Sequence, residues 1–421
     1  MKKTITALLF ATLPLLSSLA QSLALYTKGG ITILANGDEA GEMLVSGGQI
    51  TMGDCTFNIA DLDSLVYLDS SFDPLNVQVS YAGAKSYVTV PLSLMPQLAI
   101  TQDGAYVDIT STAAADPEIT YTLQGTTTDG AFQLNGSYKC GVVLNGVNIT
   151  SKKGAAIYIK NGKRIDVQLA DNTVNTLADC TGGLQDACFH IKGHPEFKGG
   201  GTLNITGNTR HAYKSGEYTL LKRSTGTINI LAAESDAMHI RQYFQMRGGQ
   251  INIKSGVKGD GIQAELNADS TKENNGMVLL DSGIVNINIA ADDVCGIKCD
   301  STFTCNGGQY TIDMSGRGAK CIDVSHDAYI YAVTSTPVFN LTASGDYLTV
   351  VENGVSDKKK STCFKVDGSL YFHAGTITTD NKEGEKARGL KIKGDYYYVP
   401  SKATLTPNTP NVDGAIKIMS E

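Results

Sequence analysis

Ala237-Met238-His239-Ile240 is one copy of a four-residue motif that recurs along most of the chain: a small residue, an apolar one, a polar one and a second apolar one. Two further strand-like segments separate one copy from the next, as in 243–249, which ends at a glycine pair, and 250–253. Three short strands in each repeat are typical of a parallel β-helix, in which successive coils stack on one another. The motif therefore predicts an all-β protein whose main part is a right-handed parallel β-helix, a solenoid with three strands per coil. Copies of the motif begin at Ala156, Cys188, Ala212, Ala237, Gly261, Gly296, Cys321, Cys363 and Gly389.

Alternation within the motif predicts which side chains point into the coils. Neighbouring side chains of a strand lie on opposite faces, so Met238 and Ile240 share one face while Ala237 and His239 share the other. The apolar face must be the interior, because burial of apolar surface is what stabilises the fold. Carried along the chain, this parity predicts an interior ladder of Ile157, Phe189, Met238, Ile262, Ile297, Ile322, Phe364 and Leu390.

The same parity places one polar residue of each coil on the exterior. We call this set the charged row; it consists of Tyr158, His190, Lys214, His239, Gln263, Lys298, Asp323, Lys365 and Lys391. Stacked coils set neighbouring rungs about 4.8 Å apart, and a polysaccharide with a carboxylate on each sugar would match a mainly cationic row through charge-assisted hydrogen bonds. The alternative is that lysines on an exposed β face serve only to prevent aggregation. The predicted ligand-binding residues are His190, Lys214, His239, Gln263, Lys298, Lys365 and Lys391.

Acidic residues gather where the chain enters the motif strand. Asp236 and Asp260 stand immediately before the small residue, and Asp186 and the Asp292-Asp293 pair lie near that position. Stacked carboxylates repel one another unless a cation lies between them, and oxygen ligands with irregular geometry suit Ca²⁺. The alternative is that aspartate is common in turns because its side chain bonds to its own backbone. The predicted calcium ligands are Asp236, Asp260, Asp292, Asp293, Glu265 and Asp300.

Signatures of other chemistry are weak. His190 and His194 are four residues apart, but on a strand and turn this spacing does not bring the two rings together, so no zinc site is expected there. No Gly-x-Ser-x-Gly motif is present, which removes the commonest signature of a serine hydrolase. The formal net charge of −7 over 421 residues disfavours nucleic acid as a partner.

The nine cysteines are odd in number and form no Cys-x-x-Cys pair. Several of them occupy small-residue positions of the motif, so we expect mostly buried free thiols. Bridges between Cys180 and Cys188, or between Cys321 and Cys363, are the alternatives.

The amino-terminal residues indicate export. Lys2 and Lys3 precede the apolar run 5–16, and small residues follow it, which is typical of a secretory signal peptide and not of a membrane span. We therefore expect a periplasmic, cell-surface or extracellular protein without a transmembrane segment. Polar interruptions at 265–275 and 352–362 are expected to project from the coils. The predicted organisation is a signal peptide (1–20), a small β unit (21–72), a sheet or sandwich-like cap (73–117), the parallel β-helix (118–400) and a carboxyl-terminal capping tail (401–421).

Four segments, 119–130, 143–150, 154–158 and 175–179, resemble in order and spacing the opening of a bacterial family of carbohydrate-binding β-helix proteins. The resemblance extends over roughly residues 75 to 395. The family binds polygalacturonate, the acidic backbone of pectin, and its fold is similar to that of calcium-dependent pectate lyases. The resemblance therefore implies a non-catalytic, secreted protein that binds acidic plant polysaccharide.

Two other functions are kept open. One is a calcium-dependent pectate lyase in which Lys298 removes the proton next to the uronate carboxylate. The other is a structural surface protein or adhesin whose repeat is purely architectural.

Overall fold

The structure is a computed structural model that describes residues 22–41, 43–352, 355–381 and 387–420. The predicted signal peptide, residues 1–20, lies outside the described residues. The described chain is nearly all-β and divides into two compact units. The first contains the described residues up to Asn76 together with Thr89–Pro96, and the second contains Val77–Val88 and the described residues from Gln97 onward.

The first unit is a small antiparallel β structure. Strand Ser22–Thr27 lies between Ile31–Asn36 and Leu62–Leu68 and pairs with both in antiparallel orientation. Its buried core includes Leu25 and Ile33. Its other elements are the strands Leu44–Ser46, Gln49–Met52 and Cys55–Asn58, the helix Gly37–Gly41 and the 3-10 helix Ile59–Asp61.

Two strands and a short helix follow in the chain. The strands are Asn76–Ala82 and Lys85–Pro91, and a 3-10 helix spans Leu92–Gln97. The sequence predicts boundaries at 72/73 and 117/118, and residues 77–88 and 97–117 lie in the compact unit that carries the repeats. The pair Leu98–Asp103 and Ala105–Ser111 is antiparallel, as expected for the end of a stack, and the second of these strands pairs in parallel with Gly130–Asn135.

The second unit is built from three long ladders of mostly parallel strands. Each strand pairs with the corresponding strand of the next repeat, usually three strands further along the chain. This connectivity is consistent with the predicted parallel β-helix. The first ladder contains Leu98–Asp103, Ala105–Ser111, Gly130–Asn135, Ile157–Ile159, Ala187–Ile191, His211–Ser215, Met238–Ile240, Ile262–Ala264, Cys295–Cys299, Lys320–Val324, Ser361–Val366, Ala387–Ile392 and Asn411–Val412.

The other two ladders share their first strands, because the long strand Cys140–Thr150 pairs with Thr120–Thr127 on one side and then contributes to both. The second ladder continues through Arg164–Leu169, His194–Lys198, Thr219–Leu221, Phe244–Met246, Val278–Leu280, Phe303–Cys305, Ala328–Ile330, Leu370–Phe372, Tyr396–Tyr398 and Ile416–Ile418. The third continues through Val174–Ala178, Thr202–Gly207, Thr227–Ala233, Gln250–Val257, Ile284–Ile289, Gln309–Met314, Val338–Ala343, Gly375–Asn381 and Ala403–Thr406.

The first ladder is made of the recurring motif, and its register is the one that alternation predicts. Ile157 pairs with Phe189, Tyr213 with Met238, and the series continues to Leu390. The eight predicted interior residues are 0–2% exposed. Burial of each such side chain stabilises the fold by about 1.5–3 kcal/mol, so a one-residue slip of register would be costly.

Tyr213 fills the interior position in the repeat that begins at Ala212. It is 1% exposed, and its hydroxyl lies 2.8 Å from the Thr219 hydroxyl, which satisfies the buried phenol.

Three expectations about the periphery are revised or filled in. Within the predicted capping tail, 401–421, the strands Ala403–Thr406, Asn411–Val412 and Ile416–Ile418 each add one more parallel strand to a ladder. The interruption at 352–362 is part of an antiparallel hairpin between Leu348–Glu352 and Val355–Lys359. All nine cysteines are free thiols, and seven of them are buried. Within the described residues, no helix has both the length and the apolar character needed to span a membrane.

Candidate ligand-binding row and its histidine cluster

The charged row runs through the middle of the first-ladder strands. Pairing sets its members opposite one another from rung to rung, from Tyr158 through His190 and Lys214 to Lys391. The side chains do not project freely: His190 and His239 are each 9% exposed and Lys391 is 7% exposed, while the remaining members are half-buried. A ligand on this row would therefore lie close to the strand backbone.

Every lysine of the charged row has a carboxylate partner. The distances from Nζ to the carboxylate oxygen are 2.9 Å for Lys214 and Asp186, 3.5 Å for Lys298 and Asp260, 3.0 Å for Lys365 and Asp323, and 2.9 Å for Lys365 and Asp367, and Lys391 pairs with Asp413. Most of these partners lie in turns, where strand alternation does not determine the direction of the side chain. The sequence predicts a mainly cationic row, but in the structure each lysine is neutralised by a carboxylate. Such a row attracts a distant anion less strongly than unpaired lysines would, and an anion binds by replacing the protein carboxylate on a lysine.

Lys298 and Asp260 show how this compensation works. Asp260 Oδ1 accepts a hydrogen bond of 2.7 Å from the backbone N–H of Cys295, yet burial still raises the pKa of this carboxyl. Burial lowers the pKa of Lys298, but Asp260 and other nearby acidic groups outweigh this and hold it above its ordinary value. Lys298 is therefore a protonated ammonium at neutral pH, which suits an anion-binding group and disfavours a general base.

The six predicted calcium ligands do not converge. Asp292 accepts hydrogen bonds from the Arg317 guanidinium, including one of 2.9 Å from Nε, and Asp293 lies 2.8 Å from Lys359 Nζ. Asp300 accepts from the backbone N–H of Leu266 at 3.4 Å. The remaining three make these contacts: Asp236 Oδ1 with Asp260 N at 3.0 Å, Asp260 Oδ2 with Lys298 Nζ at 3.5 Å, and Glu265 Oε2 with His239 Nε2 at 3.2 Å and Arg241 Nε at 3.4 Å.

Three side chains do converge: His211, Asp236 and His239. Asp236 Oδ2 lies 2.9 Å from His239 Nδ1 and 3.2 Å from His211 Nδ1. The two imidazole rings stack with centroids 4.4 Å apart. Burial raises the pKa of Asp236, but the two imidazoles outweigh this and lower it below its ordinary value, so the carboxylate is charged at neutral pH.

Sequence reasoning did not include His211 in the site. His211 stands immediately before the small residue Ala212, at the same offset that singled out Asp236 and Asp260. The shared offset is therefore the sequence signal that connects His211 with Asp236, although a histidine in a turn does not by itself indicate a calcium ligand.

His190 is a separate buried imidazole in the same row. Its ring stacks on Tyr158 with centroids 4.9 Å apart. Its Nδ1 atom has no hydrogen-bond partner in the part of the chain that the structure describes. Burial, together with the nearby Lys214 ammonium, lowers the pKa of His190 to about 4. The ring is therefore neutral at physiological pH.

Comparison with known proteins places the repeats in a family context. A sequence model of the family described as carbohydrate-binding domain-containing protein matches residues 103–387. A protein of the same description from Acetivibrio thermocellus is 31% identical over 122 residues, which cover 27% of this chain and 42% of the relative, so the chain spans less than half of the length of the curated relative it matches. The solved structure of a polysaccharide lyase-like protein from C. thermocellum, a gadolinium derivative, is similar over 59% of this chain and 97% of that chain, with 21% identity and a TM-score of 0.47.

Proposed function

The chain belongs to the carbohydrate-binding domain-containing proteins, and we propose that it is an exported, non-catalytic protein that binds acidic plant polysaccharide, with polygalacturonate as the ligand. The finer fold that goes with this proposal is a right-handed parallel β-helix. The three in-register ladders and the amino-terminal Lys2, Lys3 and apolar run support the fold and the export, respectively.

The observation that carries the proposal is the in-register charged row. Lys298, Lys365 and Lys391 lie on the same face of the first ladder, with Asp323 between the first two. Each ammonium already holds a carboxylate at contact distance, so the geometry for a charge-assisted bond to a carboxylate is present. A uronate chain brings one carboxylate per sugar and would take the place of the aspartates on successive lysines.

The proposal favours binding over lyase chemistry. A lyase needs a base that is unprotonated at working pH, whereas the neighbouring carboxylates hold the pKa of Lys298 above its ordinary value. The acidic surroundings that make Lys298 a good anion ligand make it a poor base. Lys298 is therefore assigned to ligand binding.

Calcium is retained in the proposal as a bridge between protein and sugar carboxylates. What supports it is the position of Asp260 and Asp300, two carboxylates near Lys298 whose pKa burial raises. Asp292 and Asp293 do not fit this role, because Arg317 and Lys359 already hold them. Asp236 does not fit either, because its contacts are two imidazoles and a backbone N–H.

A binding assay on immobilised polygalacturonate tests the proposal. The purified protein is applied with calcium and, separately, with a chelator, and the soluble fraction is followed by ultraviolet absorbance for unsaturated product. We expect retention, stronger with calcium, and no product. Steady appearance of product would establish a lyase, and failure to be retained on any acidic glycan under either condition would favour a purely architectural surface protein.

A further inference from the structure

The cluster of His211, Asp236 and His239 has the donor atoms of a transition-metal site. His211 Nδ1, Asp236 Oδ2 and His239 Nδ1 all lie within 4.8 Å of one another. Among the described residues, no other group of three or more histidine, cysteine or acidic side chains meets that condition. Two imidazoles and one carboxylate form a ligand set that zinc and neighbouring d-block ions prefer, whereas calcium takes oxygen ligands.

His211 is the residue whose surroundings are hardest to explain without an ion. It is 1% exposed, and neither ring nitrogen has a hydrogen-bond partner of good geometry within the described chain. A buried polar atom without a partner costs free energy. A bond from one ring nitrogen to a metal ion would give this buried imidazole the partner that the described chain does not supply.

His239 points to the same conclusion from its own contacts. Its Nδ1 atom faces two acceptors, Asp236 Oδ2 at 2.9 Å and Gln263 Oε1 at 3.1 Å, while its Nε2 atom faces Glu265 Oε2 at 3.2 Å. A neutral imidazole has one N–H and cannot donate on both sides. An ion on the Nδ1 side would place the ring proton on Nε2, which faces Glu265 Oε2, a buried oxygen that has no hydrogen-bond partner within the described chain.

We propose that His211, Asp236 and His239 bind one divalent d-block ion, with zinc as the best match. The amide oxygen of Gln263 lies beside His239 Nδ1 and offers a fourth ligand. Asp236 is held in place from behind, because its second oxygen accepts the backbone N–H of Asp260 at 3.0 Å.

The position of this site in the charged row indicates that the bound ion contributes to glycan binding, an inference that rests on the proposed function. The rungs of His239 and Gln263 are the two between Lys214 and Lys298, and neither carries a lysine. A bound ion would supply positive charge at these rungs and make the row continuous toward an acidic glycan. Metal binding itself does not depend on the glycan, so the two ideas are tested separately.

Metal titration of the full-length protein, stripped of metals with a chelator and free of glycan, tests the site. We expect one saturable Zn²⁺ per chain by calorimetry. Bound Co²⁺ should show visible absorption bands that Zn²⁺ removes and Ca²⁺ does not. Absence of saturable binding of both ions would overturn the proposal.

Variants assign the site to these residues. His211→Gln should lose Zn²⁺ and Co²⁺ binding, while His373→Gln, which changes a half-buried histidine directly after the second-ladder strand Leu370–Phe372, should bind as wild type does. Glu265→Gln should keep the ligands and weaken affinity by about 10–100-fold, and because Glu265 is half-exposed this variant remains informative if His211→Gln fails to fold. Wild-type affinity in a folded His211→Gln, or in Glu265→Gln if His211→Gln does not fold, would refute the assignment.

Discussion

The molecule presents two polar rows whose outward side chains find partners in different ways. One is the charged row of the first ladder. The other, which we call the amide row, consists of Asn204, Asn229, Asn252 and Asn286, which lie in register on the third ladder. In the amide row each side chain bonds to the next: the Nδ2–Oδ1 distances are 2.8, 2.8 and 2.9 Å from Asn204 to Asn286.

The difference teaches what a repeated polar position can do. An asparagine carries both donor and acceptor, so identical residues on successive rungs satisfy one another along the ladder. Lysines on successive rungs repel, and those of the charged row pair mostly with aspartates in turns beside the strands, although Lys365 also pairs along the row with Asp323. A ligand can replace a turn aspartate without breaking the ladder. We therefore infer that the amide row stabilises the fold and that the charged row binds the ligand.

Acid should reveal the difference most strongly, because the charged row titrates and the amide row does not. The pKa of His190 is about 4 in the folded chain and near its ordinary 6.5 when unfolded. Between these values the unfolded chain binds more protons, so stability is present above about pH 6.5 and is lost as pH falls to about 4, by on the order of 3 kcal/mol.

Urea unfolding at pH 7 and pH 4.5 measures this effect. His190→Gln should lose distinctly less stability between the two pH values than the wild type, whereas Asn252→Ala should lose as much as the wild type. The comparison between variants removes the contribution of groups such as Asp186, whose hydrogen bond from Lys214 lowers its pKa. Parallel losses in wild type and His190→Gln would show that the buried imidazole does not control the acid response.

Ligand affinity should separate the two rows next. Lys298→Ala with Lys365→Ala removes two cations of the charged row that flank Asp323, and we expect affinity for polygalacturonate to fall at least about tenfold, which is 1.4 kcal/mol. The control is Lys254→Ala with Lys258→Ala, which removes the same charge from the strand of the amide row and its following turn. Calorimetry of each double variant measures the affinity. Equal losses of affinity in the two double variants would mean that only the net charge of the protein matters, and the charged row would then not be the binding site.

Strand alternation accounts for what could be predicted. Parity placed the interior residues and the order of the charged row from Tyr158 to Lys391 correctly, because the side-chain period of a strand leaves only two registers and burial selects one. Pro407 and Pro410 of the predicted capping tail lie in the connections between ladder strands, so neither interrupts a strand.

The partners of the row could not be predicted in the same way. Asp186, Asp367 and Asp413 lie in turns, and the direction of a turn side chain depends on local backbone angles that no period determines. The sequence therefore predicted where the lysines lie but not that each is compensated. His211 was missed for a different reason, since its position obeyed the pattern and only its residue type was unexpected.

The smallest expected effect is on stability at neutral pH, within the amide row itself. Asn252 donates to Asn229 and accepts from both Asn286 and Gln250. Asn252→Ala therefore breaks three bonds and leaves three half-buried amides short of a partner, at a cost of about 1–2 kcal/mol. Asn340→Ala changes an exposed asparagine at the same register of the same ladder and should cost no more than about 0.5 kcal/mol. Urea unfolding of both variants gives the difference. If both variants lose the same unfolding free energy, the hydrogen bonds between the amides contribute nothing measurable to stability. The ladder would then be stabilised by the apolar interior and not by the amide row.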